Sequence, residues 1–101
     1  MKIAWQVGFG SSVLVGIDSM VSGGLSYQLS KPLVNLFHNR GYTSLDNFCT
    51  YSGDRRNYWL SPGFFHLEEP YKQEWSNYVL MLNRMGISLR PTDDILVWMH
   101  N

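Results

Sequence analysis

A segment in the middle of the chain combines arginine and aromatic residues, the types that most favour contact with another molecule. Such side chains together are typical of protein interfaces, and they can also stack on single-stranded bases. The predicted contact residues are Arg55, Arg56, Tyr58, Trp59, Phe64 and Phe65. In this interpretation the arginines orient a partner and the aromatic rings supply buried area. The alternative, that the rings cover the core beneath a loop, stays open because burial is not visible in a sequence.

The histidine and cysteine residues do not combine into a metal or nucleophile site. His38, His66 and His100, taken with Cys49, match no usual zinc-ligand spacing. We therefore expect surface histidines, no metal and no cofactor. Cys49 follows Phe48 in a predicted short helix, which favours a small buried hydrophobic residue over a reactive thiol.

The acidic residues also lack the arrangement of a catalytic pair. Glu68 and Glu69 come just before Pro70, where negative charge stabilises the start of a helix. Asp93 and Asp94 follow a proline and a threonine, a composition that predicts a turn. Because no acid, base and nucleophile can be assembled, we predict that the chain is not an enzyme.

The composition indicates one small domain with a core of its own. The chain has 101 residues, of which 45% are hydrophobic and 15% aromatic. These values are far from those of disordered chains. We expect residues 1–101 to form a single domain, with an exposed connection at 50–63, where polar and turn residues predominate.

Charge and cysteine usage limit the partner and the compartment. Eight basic residues balance eight acidic ones, so no net positive field is available to hold a phosphate backbone. A protein partner is therefore preferred, and RNA or single-stranded DNA is the alternative. The single cysteine favours a reducing compartment. The N-terminus lacks the apolar run of a signal peptide, and no apolar run is long enough to cross a bilayer. We expect cytoplasmic or nuclear residence and no membrane partner.

Local patterns predict an α+β fold, in which a small antiparallel sheet packs with two to three helices. The sheet is expected to contain an N-terminal hairpin over residues 3–18, because apolar residues alternate on both sides of a Gly8-Phe9-Gly10 turn. A short C-terminal strand from Ile95 to Trp98 is a further candidate for this sheet. The two glycines do not form a dinucleotide fingerprint, because no third glycine and no helix follow them.

Three helices are predicted from start and stop signals. The first begins after Ser30 with Pro32 in its first turn and ends at Gly41. A short second helix starts at Thr43 or Ser44. The longest runs from about Pro70 to Met85 and presents an apolar stripe at helical spacing. The stripe consists of Trp75, Tyr78, Val79, Leu82 and Met85.

Three segments together resemble plant non-LTR (LINE-type) retrotransposon polyproteins, in the stretch just downstream of the reverse-transcriptase core. The first is a W-x-[IV]-G-x-G-x-x-[VI] pattern at residues 5–13, followed by G-x-D at 16–18. The second is an L-S-x-x-L segment at 29–33. The third is a W-x-x-Y helix followed by G-I-x-L and D-x-L-x-W, and it consists of Trp75, Tyr78, Leu82, Gly86, Ile87, Leu89, Asp94, Leu96 and Trp98.

The resemblance implies a scaffold fragment without an active site. Reverse transcriptases hold magnesium on aspartates of a Y-x-D-D hairpin, and that motif does not occur in this sequence. The nuclease and RNase H portions of such polyproteins also lie outside this stretch. The expected function is that of a domesticated, non-enzymatic module that binds another protein. Residual RNA or single-stranded DNA binding, inherited from the polyprotein, is the second hypothesis.

Overall fold

The computed structural model describes residues 2–18, 20, 28–51 and 57–99. These residues form an α+β fold with small antiparallel sheets, which confirms the predicted fold class. The elements in chain order are β1 (Lys2–Gln6), α1 (Lys31–Asn39), a 3₁₀ helix (Leu45–Phe48), β2 (Cys49–Tyr51), β3 (Asn57–Trp59), α2 (Tyr71–Arg84) and β4 (Ile95–Met99).

The first and last strands of the chain pair with each other. β1 and β4 are antiparallel, with Ile3 opposite Trp98 and Trp5 opposite Leu96. The predicted C-terminal strand is therefore confirmed, and it closes the fold by joining the two ends of the chain. On the other side of β1, Trp5 forms a parallel bridge with Met20.

The predicted N-terminal hairpin is wrong in its second strand. Residues 13–15 hydrogen bond with the segment after α1 instead of with β1: the Val15 amide donates to the Thr43 carbonyl at 3.1 Å, and the Leu45 amide donates to the Val13 carbonyl at 2.8 Å. Val13 and Val15 are buried, as their alternation predicted. The pattern thus identified which side chains enter the core, but it could not identify the segment that supplies their backbone partners.

One carboxylate binds the loop that follows β1, where the predicted hairpin does not form. Asp94 Oδ1 accepts hydrogen bonds from the amides of Gly8 at 2.6 Å and Gly10 at 2.9 Å. Asp94 Oδ2 accepts a third from the Ser12 amide at 2.9 Å. We call this arrangement the Asp94 clamp. It satisfies three donors of an irregular loop that would otherwise lack protein partners, so Asp94 does more than complete the predicted turn.

Glycine is required at two positions of the clamp. A Cβ atom on Gly8 would lie 2.0 Å from the Thr92 carbonyl oxygen, which is backbone and cannot move aside. Gly10 has φ of +81°, in the left-handed region that favours glycine. The glycines therefore allow a close approach of two backbone segments, which explains why the turn contains them.

The clamp also changes the acidity of its carboxyl group. Burial raises the pKa of Asp94, but the three amide donors of Ser12, Gly10 and Gly8 stabilise the charged form. The net effect lowers the pKa of Asp94 below its ordinary value of 3.8.

The helices form where their end signals predict. α1 follows Ser30, has a proline in its first turn and stops before Gly41. The short helix after it is 3₁₀, and its capping pair is Ser44 with Asn47. α2 spans fourteen residues within the predicted limits. No helix in the described ranges combines the length and apolarity needed to span a bilayer.

An aromatic cluster forms the centre of the core. The Phe37 ring makes edge contacts with three others, at centroid distances of 4.9 Å to Phe48, 4.9 Å to Phe65 and 5.2 Å to Trp75. Trp75 is completely buried, stacks on Tyr78 and donates from Nε1 to the Leu60 carbonyl at 2.8 Å. Edge-to-face packing and the satisfied indole N–H make this cluster both dense and specific.

The segment predicted as an exposed connection at 50–63 contains regular structure. β2 and β3 pair antiparallel, with Cys49 opposite Trp59. Cys49 accordingly begins a strand and is partly exposed, where the sequence predicted a buried residue in a short helix. The strands are only three residues long, too short for alternation to be detected. Residues 52–56 lie outside the described part of the chain.

We expect Asp94→Asn to lower the free energy of unfolding by about 1–2 kcal/mol at pH 7, because an amide has only one acceptor oxygen for the three donors. Since the folded-state pKa is lowered, the contribution of Asp94 is complete above about pH 5 and is lost as pH falls below 3.8. The difference between wild type and variant should therefore shrink in acid. Urea unfolding between pH 7 and pH 2.5 measures it.

The neighbouring Asp93→Asn serves as the matched control, because Asp93 is exposed and takes no part in the clamp. It removes the same charge at the adjacent position of the same turn region. A loss of equal size in both variants would contradict the structural role assigned to Asp94.

Candidate protein-contact surface

The structure separates the six predicted contact residues into different environments. Arg55 and Arg56 lie outside the described residues. Tyr58 is the central residue of β3, opposite Thr50. The remaining three are Trp59, Phe64 and Phe65, and their side chains differ in exposure.

Phe65 is a core residue, so its prediction as a contact residue is wrong. Only 2% of Phe65 is exposed, and its ring packs on Phe37 and Tyr42 at centroid distances of 4.9 and 5.0 Å. Its carbonyl oxygen accepts a hydrogen bond from the Arg40 guanidinium. For this residue the alternative holds: the ring covers the core beneath a loop.

The turn at residues 61–66 gives the two adjacent phenylalanines opposite environments. The Phe64 amide donates to the hydroxyl and the carbonyl of Ser61, at 3.2 and 3.1 Å. This geometry leaves Phe64 53% exposed, with its ring resting edge-on against Phe65. Phe64 therefore remains available at the surface.

Trp59 lines a shallow groove between the end of β3, the turn that follows it and α2. The groove has a volume of about 310 Å³. We call it the Trp59 groove. It is lined by Trp59, Leu60, Ser61, Pro62, Ser76, Val79, Leu80 and Asn83. Trp59 itself is half-buried, since part of it packs against the core.

Backbone hydrogen bonds on both sides of Leu60 fix the position of the groove. The Leu60 amide donates to the Phe48 carbonyl at 2.8 Å, and the Leu60 carbonyl accepts from Trp75 Nε1 at 2.8 Å. Because Phe48 and Trp75 belong to the central aromatic cluster, the chain after β3 is anchored to the buried core. The groove is therefore pre-formed, which reduces the entropy lost when a partner binds.

One face of α2 supplies the other wall. Ser76, Val79, Leu80 and Asn83 follow one another at helical spacing and so lie on the same side of the helix. Leu80 is half-exposed there. The sequence signal for this wall was present, since Leu80 falls outside the stripe that faces the core, but a single exposed leucine is common and indicates nothing alone.

The chemistry of the groove is neutral. The polar side-chain groups of its lining residues are two serine hydroxyls, one amide and the indole N–H of Trp59, and none of these side chains is charged. Such a surface can hold an apolar segment and hydrogen bond with its backbone, but it offers no cation for a phosphate. In the described part of the chain, no three His, Cys, Asp or Glu side chains come together as a metal site would need.

No known protein family, curated protein or solved structure matches this chain. Its function is therefore inferred from the geometry of its own residues. In the groove, the sequence-predicted Trp59 lies beside the exposed side chain of Leu80.

We expect Phe65→Ala to lower the free energy of unfolding by about 3–5 kcal/mol, because it leaves a cavity in the aromatic cluster. Phe64→Ala should cost less than about 1 kcal/mol, because half of that ring is already in water. Chemical unfolding followed by circular dichroism measures both. Equal losses in the two variants would contradict the opposite environments of these rings.

Proposed function

We propose that this chain is a non-enzymatic protein–protein interaction module, derived from a retroelement polyprotein, and that the Trp59 groove receives an apolar segment of the partner. The observation that carries the proposal is the half-buried Trp59 beside the exposed Leu80 in a concave, uncharged surface. Partly buried tryptophans in pre-formed pockets supply most of the energy at many protein interfaces.

The neutral groove favours a protein over a nucleic acid. Binding a phosphate backbone draws its affinity from lysine and arginine side chains, and none lines the groove. The chain as a whole has a formal net charge of zero at pH 7. An apolar partner segment instead gains free energy in proportion to the area that it buries.

The residues that carry the retroelement resemblance serve as scaffold in this chain. Gly8 and Gly10 of the first motif bind Asp94 of the last. Asp18, the other motif aspartate, accepts hydrogen bonds from Trp5 Nε1 at 3.2 Å and from the Leu14 amide at 2.9 Å. Both carboxylates thus bind the chain's own donors, which supports a structural module over a catalytic one. We place its action in the cytosol or nucleus.

The test is recovery of the tagged protein from its own cells, with and without nuclease treatment. We expect to recover a stoichiometric protein partner in equal amounts with and without nuclease. The amount recovered with the Trp59→Ala variant should be at least tenfold lower. Because Trp59 also packs against the core, Leu80→Lys is the second variant. It places a charge in the groove at an exposed helix position and should also weaken recovery at least tenfold.

Phe9→Ala is the matched control, since Phe9 is an exposed aromatic residue of the Asp94-clamped loop and does not line the groove. It should recover the partner as wild type does. Unchanged recovery by Leu80→Lys would rule out the groove. Partners that disappear with nuclease, and an affinity that falls steeply with salt, would support the nucleic-acid alternative instead.

A further inference from the structure

The β1–β4 sheet presents a second apolar surface that is separate from the Trp59 groove. The register places Ile3 opposite Trp98 and Trp5 opposite Leu96, and strand alternation puts these four on one face. The other face contains Ala4, which is buried. On the first of these faces Ile3, Leu96 and Trp98 are 49%, 54% and 64% exposed, whereas Trp5 is half-buried and packs against the core. We call the face that contains Ile3, Trp5, Leu96 and Trp98 the outer sheet face.

The free edge of this sheet is strand β4. Within the described ranges, β4 pairs with β1 and with no other strand, whereas β1 has a bridge to Met20 on its far side. The five residues of β4 are Ile95, Leu96, Val97, Trp98 and Met99. They include no charge and no proline, the devices that normally protect an edge strand.

We propose that β4 pairs with β4 of a second copy of this chain, antiparallel and about a two-fold axis at Val97. The product is a four-stranded sheet in the order β1–β4–β4–β1. In this register Leu96 of each copy lies opposite Trp98 of the other, on the outer sheet face. Each of these exposed side chains gains an apolar cross-strand neighbour, and the open backbone groups of both edges gain partners.

The distribution of charge favours antiparallel pairing of β4 with β4 of a second copy of this chain. Asp93 and Asp94 precede the strand, and antiparallel pairing about Val97 places the two acidic pairs at opposite ends of the joined strands. The two Asp94 positions are then about 20 Å apart, more than twice the Debye length at physiological salt. Parallel pairing would set them side by side. The formal net charge of zero removes long-range repulsion between copies.

The size of the contact sets the strength of the association. One pair of five-residue edges buries less than the roughly 1,200 Å² of a standard stable interface. The dimer should therefore be reversible and depend on protein concentration. By sedimentation equilibrium on the full chain, the average mass should rise from 11.7 kDa toward twice that value between about 5 and 500 µM.

Two double variants with equal numbers of new charges test the register. Leu96→Lys with Trp98→Lys brings lysine opposite lysine at both outer pairs, and we expect it to stay monomeric over the whole range. Leu96→Lys with Trp98→Glu brings lysine opposite glutamate, and we expect it to dimerise as wild type does within threefold. Both positions are exposed, and circular dichroism melting checks that each variant is folded.

A wild-type mass that stays at 11.7 kDa throughout, or that continues beyond twice this value, would overturn the closed two-fold pairing. Identical behaviour of the two double variants would overturn the antiparallel register. Leu80→Lys should leave the dimer unchanged, since Leu80 lies on α2 in the Trp59 groove. The experiments can therefore refute the proposed dimer and the proposed binding at the Trp59 groove independently of each other.

Discussion

The rest of the structure depends on the Asp94 clamp. One carboxylate binds the amides of Gly8, Gly10 and Ser12, more than eighty residues away in sequence. Within the described residues no strand pairs with this glycine loop, and an unsatisfied buried amide costs about 1–3 kcal/mol. By meeting that requirement from the start of β4, the clamp aligns β4 with β1. The loop does not form a hairpin with β1. Its hydrogen bonds to Asp94 instead connect it to the segment that precedes β4.

The aromatic cluster has a corresponding role at the centre of the core. Trp75 links the cluster to the chain after β3 through the Leu60 carbonyl. The same tryptophan thus fills the core and positions the groove that Trp59 and Leu80 line. Because a dense core transmits displacements, the shape of this surface is set by residues that do not contact solvent.

The two exposed apolar surfaces share a lack of charge. Neither the Trp59 groove nor the outer sheet face contains an ionisable side chain. The motif aspartates, Asp18 and Asp94, both bind donors of their own chain. The protein thus uses its acidic motif residues to hold its own backbone together, and it leaves the apolar side chains of Leu80, Leu96 and Trp98 exposed.

Local signals determined the helices, and the pairing of strands was decided only in three dimensions. Pro32, the glycines after α1 and α2, and the apolar spacing of α2 act within one or two turns, so the sequence alone predicts those helices. The alternation at Val13 and Val15 likewise predicts burial. It does not predict a backbone partner, because any strand of the right length can satisfy the same donors.

The predicted contact residues divide in the same way. Trp59 could be selected by its residue type, whereas Phe64 and Phe65 are the same type at adjacent positions and differ in exposure by 51 percentage points. The hydrogen bonds of the turn, including those from the Phe64 amide to Ser61 and from the Leu67 amide to Pro62, place Phe65 in the core and leave Phe64 exposed. The sequence by itself therefore determined composition, charge and helical periodicity. The tertiary structure decided which strands pair and which aromatic rings reach solvent, because both depend on contacts between residues far apart in the chain.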